Sequence, residues 1–167
     1  MVKKNLFKRM DRIEDIIQNG FHGGQTIARL IEMGIASIPS QQGVYLIVRD
    51  TPEPHAFLPI GTGGHFKGKD PNVPIEELES NWVDNTQIVY IGKATNLNKR
   101  LQQYLRFGQG ANVGHWGGRY IWQLKDAVTL SVFWKETTED PRAVEQKMIS
   151  DFKTRHGRKR PFANLKD

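Results

Sequence analysis

The 167-residue chain carries 24 Lys and Arg against 18 Asp and Glu, a net charge of +6, with 38% apolar residues and no cysteine. That composition fits one soluble globular domain burying about 70% of its unfolded surface, and it excludes a disordered chain, disulfides, thiolate zinc sites and cysteine nucleophiles. No apolar run approaches the roughly 20 residues of a membrane helix. The basic start MVKKNLFKRMDR also lacks the apolar core of a signal peptide, which predicts a cytoplasmic protein.

Leu6, Met10, Ile13 and Ile17 recur at helical spacing, so residues 5–18 read as a helix closed by Asn19-Gly20. Thr26 is an N-cap for a second helix with Ile27, Leu30 and Ile31, ended by Gly34. Residues 43–48, GVYLIV, form a strand. Residues 50–86 hold five of the eight prolines and a glycine cluster, and read as a long excursion with one helical turn near Ile75–Leu78. Gln87–Ile91 is a second strand, with Tyr90 on one face beside Ile88. Asn96–Phe107 is an amphipathic helix with Leu97, Leu101 and Leu105 along one side. Tyr120–Leu124 fits helix and strand equally, and Val128, Leu130, Val132 and Trp134 alternate as a third strand. Asp140-Pro141 opens a last helix that stops at Gly157.

The charge is unevenly spread. From Asn85 to Lys125 there are six cations (Lys93, Lys99, Arg100, Arg106, Arg119, Lys125) and no acid. After Asp151 the tail is basic again, with Arg158-Lys159-Arg160 at its centre. Two acid-free basic stretches are the footprint of a polyanion binder, and they nominate Lys99, Arg106, Arg119, Arg158, Lys159 and Arg160 as nucleic-acid contacts.

Gly63-x4-Gly68-Lys69 falls short of a phosphate-binding P-loop, because Asp70 stands where Ser or Thr is needed and no strand precedes it. The five histidines show no metal-ligand spacing. Tyr45 and Tyr90 can share one face if their strands pair, although strand tyrosines are most often packing residues. Arg100 and Tyr104 lie four apart on one helix flank, where a guanidinium fork suits a phosphoryl group. On the last helix, Glu145 falls inside the apolar face of Val144, Met148, Ile149 and Phe152. A carboxylate placed there is ion-paired, protonated or bound to a hard divalent cation.

Gly43-Val44-Tyr45 and Tyr90-Ile91-Gly92, followed by Lys93-Ala94, Arg100, Tyr104, Glu145 and Asn164, resemble the GIY-YIG nuclease superfamily. The segment from Val89 to Leu101 is especially similar to the nuclease domain of the bacterial excision-repair incision subunit. The likeness spans about residues 41–165. The chain departs from it in a long insertion between the two tyrosine motifs and in a longer interval from Glu145 to Asn164.

The resemblance implies an α+β fold, with a small, mainly antiparallel three-stranded sheet flanked by helices. In that reading residues 41–167 form the nuclease domain with an insertion at about 50–86, and residues 1–40 are an N-terminal helical extension. It further implies an endonuclease hydrolysing DNA phosphodiesters with Mg²⁺ or Mn²⁺. Tyr45 would act as general base or orient the water with help from Lys93, while Tyr90 and Tyr104 would position water and phosphate. Arg100 would stabilise phosphoryl charge, Glu145 would hold the metal, and Asn164 would brace the site. A nucleic-acid-binding module with a degenerate site and an RNA-directed nuclease are the alternatives.

Overall fold

A computed structural model of the chain describes residues 9–167. The fold is α+β and is organised around one open antiparallel sheet of four strands, ordered β1-β4-β2-β3. The strands are β1 (His22–Thr26), β2 (Gly43–Val48), β3 (Ile88–Ala94) and β4 (Ser131–Glu136). The helices are α1 (Ile13–Gln18), α2 (Ile27–Met33), α3 (Ile75–Asn81), α4 (Leu97–Gly108) and α5 (Pro141–Arg155). No helix among the described residues is long and apolar enough to cross a membrane.

The sheet has one strand more than the three expected. β1 lies in the segment read as purely helical, and it pairs with β4 through a bulge between Gly23 and Gln25. Its sequence, HGGQT, has neither β-branched runs nor alternation, so only the pairing with β4 makes it a strand. β2 is central and buried along its whole length, because both faces of the sheet are covered.

Directly paired residues point to the same face of an antiparallel sheet. Tyr45 pairs with Gly92 and Trp134, and Ile47 pairs with Tyr90 and Val132, which sets both tyrosines on one face. This face packs against Leu97, Leu101 and Leu105 of α4 and against Ile121 and Trp122. The opposite face carries Val44, Leu46, Ile88, Ile91 and Phe133 against Val144, Met148, Ile149 and Phe152 of α5. A register shift between Ile47 and Val48 leaves Val89 as the extra residue of β3. Ile88 and Tyr90, expected on one face, therefore lie on opposite faces.

Other boundaries move for local reasons. The first helix begins at Ile13, where the Asp15 carboxylate accepts from the backbone N–H groups of Asp11 and Arg12; Leu6 of the expected helix lies outside the described residues. β3 runs three residues past its expected end, because Gly92–Ala94 continue to pair with Tyr45, Val44 and Gly43. Val128 falls in a 3₁₀ turn, Ala127–Thr129, and is exposed, so the last strand starts at Ser131. Tyr120–Leu124, which by sequence fits helix and strand equally, is 3₁₀-helical as far as Gln123, the end of a segment Trp116–Gln123, and Leu124 makes an isolated antiparallel bridge with Phe57. The Gly63–Lys69 region makes a short 3₁₀ turn, Phe66–Gly68, with no strand leading into it.

The excursion at 50–86 folds over the tyrosine side of the sheet. Backbone bonds join Leu58 to Gln123, Thr62 to Trp122 and Gly64 to Phe107. The helical turn expected there is the seven-residue α3, tied down where the Tyr120 hydroxyl donates to Glu77 Oε1 at 2.8 Å.

Candidate active site

The two glycines of the tripeptide motifs are fixed by close approach. A Cβ on Gly92 would stand 2.2 Å from Cζ of Tyr45, whose ring crosses the strand at that point. A Cβ on Gly43 would meet the Lys135 carbonyl oxygen at 2.2 Å. Only glycine admits these approaches without displacing a neighbour. The motif spacing therefore seats the Tyr45 ring on the backbone of β3.

Three phenols cluster on this face. The Tyr45 and Tyr90 ring centroids lie 6.0 Å apart, and Tyr104 stacks at 6.3 Å on Tyr90. Burial pushes the Tyr45 phenol well above its usual pKa, and the neighbouring Tyr90 adds to the shift. Burial likewise raises Tyr104, and it raises Tyr90 to about 12 against the opposing pull of Arg100. All three are neutral phenols at ordinary pH.

A cleft of about 1020 Å³ opens beside β3. It is bordered by Tyr45, Tyr90, Lys93, Arg100, Glu145 and Asn164, which come from both faces of the sheet and from the C-terminal segment. Lys93 pairs with Val44, so its side chain points to the α5 face, where its ammonium meets Glu145 Oε1 at 3.2 Å. Glu145 is thus buried within the apolar face, as expected, and ion-paired. Arg100 donates through one Nη to the Gly114 carbonyl at 2.7 Å and to Gln103 Oε1 at 3.1 Å. Asn164 faces the backbone of Ile91, accepting from its N–H and donating to its carbonyl, both at 2.9 Å. Its amide stands in for a strand peptide along the outer edge of β3, between the Tyr90 and Gly92 positions.

Tyr104 does not share the cleft wall with Arg100. It lies fully buried behind Tyr90, and its hydroxyl has no hydrogen-bond partner among the described residues. Of the expected nucleic-acid contacts, Lys99 and Arg119 border the cleft, and Arg119 stacks its guanidinium 4.6 Å over Trp116. Arg106, Arg158, Lys159 and Arg160 do not border it. Lys159 donates to the Trp82 carbonyl, and Arg160 to the Asp167 carboxylate.

One site residue was not singled out from the sequence. His115 is fully buried among the three tyrosine rings, 4.4 Å from Tyr104 by ring centroids, and its Nε2 lies 2.7 Å from the Tyr45 hydroxyl oxygen. Burial, aided by the Arg100 charge, lowers its pKa to about 3, so the imidazole is neutral. The only sequence signal is its place in the acid-free glycine-rich stretch after Arg100.

The donor set suits a hydrated hard cation better than a caged one. No group of three or more His, Cys, Asp or Glu that would enclose a metal occurs among the described residues. Mg²⁺ needs only one or two protein carboxylates, with water and phosphate oxygens completing its shell. Glu145 at the cleft wall meets that requirement. Compared with protein-family models, with curated proteins and with solved structures, the chain matches none of them.

Proposed function

We propose that this chain is a GIY-YIG-type endonuclease that hydrolyses DNA phosphodiester bonds. The observation that carries the reading is the meeting of Tyr45, Tyr90, Arg100, Glu145 and Asn164 around one cleft, from segments up to about 120 residues apart in sequence. Structural packing alone does not require two phenols, a guanidinium and a carboxylate to border a common cavity beside basic residues.

In this reading a phosphodiester enters the cleft with Lys99 and Arg119 along its path. Arg100 keeps guanidinium donors beyond the Nη that holds Gly114, and these stabilise charge developing on the phosphoryl oxygens. Tyr45, held neutral by burial, orients the attacking water through its hydroxyl oxygen; it does not act as a preformed phenolate. Tyr90 flanks the same position. Glu145 would hold Mg²⁺ or Mn²⁺, which when bound supplies Lewis-acid stabilisation of the phosphoryl group. Lys93 fixes the Glu145 carboxylate, and Asn164 fixes the β3 backbone on which Tyr90 and Gly92 stand.

The test is to incubate the protein with plasmid, single-stranded, branched and RNA substrates, with and without Mg²⁺, beside the Glu145→Gln variant. The expected result is Mg²⁺-dependent DNA cleavage by the wild type. Glu145→Gln should cleave nothing while folding normally and binding DNA at least as tightly, since a negative charge near phosphate has gone. Retained metal-dependent cleavage by Glu145→Gln would refute the role of that residue. Wild-type binding without cleavage of any substrate would identify a binding module.

A further inference from the structure

We propose that His115 is a positioning residue for hydrolysis: its Nε2 accepts the Tyr45 hydroxyl proton, leaving the phenol oxygen's lone pairs to receive the attacking water. The proposal rests on the nuclease reading and deepens it.

A phenol has one proton to donate, and where that proton points decides what its oxygen can accept. The Tyr45 hydroxyl meets His115 Nε2 at 2.7 Å, with both residues fully buried. The imidazole cannot turn away. Tyr104 packs against it at 4.4 Å, Tyr90 and Tyr45 meet it edge-on at 6.0 and 6.3 Å, and a Cβ on Gly118 would touch its Cε1 at 3.2 Å. The loop that carries it is anchored one residue earlier, where Arg100 grips the Gly114 carbonyl. Consecutive loop residues thus bind the guanidinium and the phenol of the same cleft. Burying a polar imidazole is costly unless a hydrogen bond recovers the loss. Here the recovered bond fixes the rotor of the Tyr45 hydroxyl, at the wall of the cleft that Tyr90 also borders.

With His115 neutral, only one ring nitrogen carries a proton; because Nε2 is the atom that meets the phenol, that proton sits on Nδ1, which has no hydrogen-bond partner among the described residues. The reverse tautomer would donate to Tyr45 and turn the phenol proton elsewhere, making the oxygen a poor acceptor for water.

The experiment pairs single-turnover cleavage at saturating DNA with ¹⁵N NMR of the imidazole tautomer. In His115→Phe the maximal rate should fall by about 10²-fold, the scale of a misplaced reacting group, with unchanged DNA affinity. His115→Gln, whose amide oxygen can accept the same proton, should recover most of that rate and guards against a folding failure of the Phe variant. NMR should find the Nδ1–H tautomer in the wild type and a shifted Nε2 signal in Tyr45→Phe. A folded His115→Phe that cleaves at the wild-type rate, or an Nε2–H tautomer, would overturn the proposal alone. A wild type that cleaves nothing would overturn the nuclease reading together with it.

Discussion

Replacing Gly92 by alanine adds one methyl group at the point where Tyr45 crosses β3. The new Cβ would lie 2.2 Å from Cζ, 2.6 Å from the hydroxyl oxygen and 2.7 Å from Cε1 of Tyr45. Ordinary carbon contacts start near about 3.5 Å, so the ring must retreat by more than about 1 Å or the strands must spread. Retreat is blocked, since Tyr45 is fully buried, bonded to His115 and paired on its other side with Trp134 of β4. Overpacking of this kind costs about 1–3 kcal/mol. For a chain of this size that cost lowers the melting temperature by about 2–12 °C. Thermal denaturation followed by circular dichroism measures it. A double-mutant cycle with Tyr45→Leu, which removes all three crowded atoms, should give a coupling energy of about 0.5–3 kcal/mol in the relieving direction. A Gly92→Ala protein with the wild-type melting temperature, or a cycle with no coupling, would show that the ring does not lie where the register puts it.

Tyr45→Phe keeps the ring but leaves His115 Nε2 buried and unpaired, so it should lose about 1–3 kcal/mol of stability in urea titration. Under the proposed function its cleavage rate should also fall by about 10²-fold or more, and near-normal cleavage would reduce Tyr45 to a packing residue. Burial alone would raise the pKa of Asp11, but hydrogen bonds from His156 and Arg155 outweigh it and hold the carboxyl below 3.8. Because the folded pKa is depressed, the stabilisation is present above the unfolded value and is lost as pH falls through the folded one. Asp11→Asn should therefore lower the melting temperature at neutral pH and flatten its fall on acidification, read by thermal melts across the acid range. Neutralising Arg158, Lys159 and Arg160 together should reduce the salt slope of DNA binding by up to about 3 units, measured by fluorescence anisotropy. An unchanged slope would confine the phosphate contacts to residues outside the tail, such as Lys99 and Arg119 at the cleft.

The elements that were legible in the sequence are those whose signals are local. Thr26 accepts from the Arg29 N–H and Asp140 from Arg142, and each cap starts the helix that follows. The burial of Glu145 was equally readable, since helical periodicity alone places it among Val144, Ile149 and Phe152. β1 was not, because its Gly-Gly core becomes a strand only through the partner β4 supplies. The Val89 bulge escaped for the same reason: register belongs to a pair of strands. Tyr104 shares a helix flank with Arg100, yet the packing of Tyr90 and His115 covers it. His115 itself is positioned by a loop whose course depends on the insertion and on Arg100, neither of which has a periodic signature.

Both margins of the sheet are protected against joining another chain. At one margin β1 is short and bulged, which spoils it as a template for strand addition. At the other, Asn164 occupies both hydrogen-bonding groups of Ile91, and the Ala163 N–H takes the Val89 carbonyl. A strand as apolar as IVYIG would otherwise be suited to intermolecular pairing. The residue that bonds the β3 backbone beside the cleft therefore also covers the sheet edge, and a chain shortened before Asn164 would bare an adhesive strand.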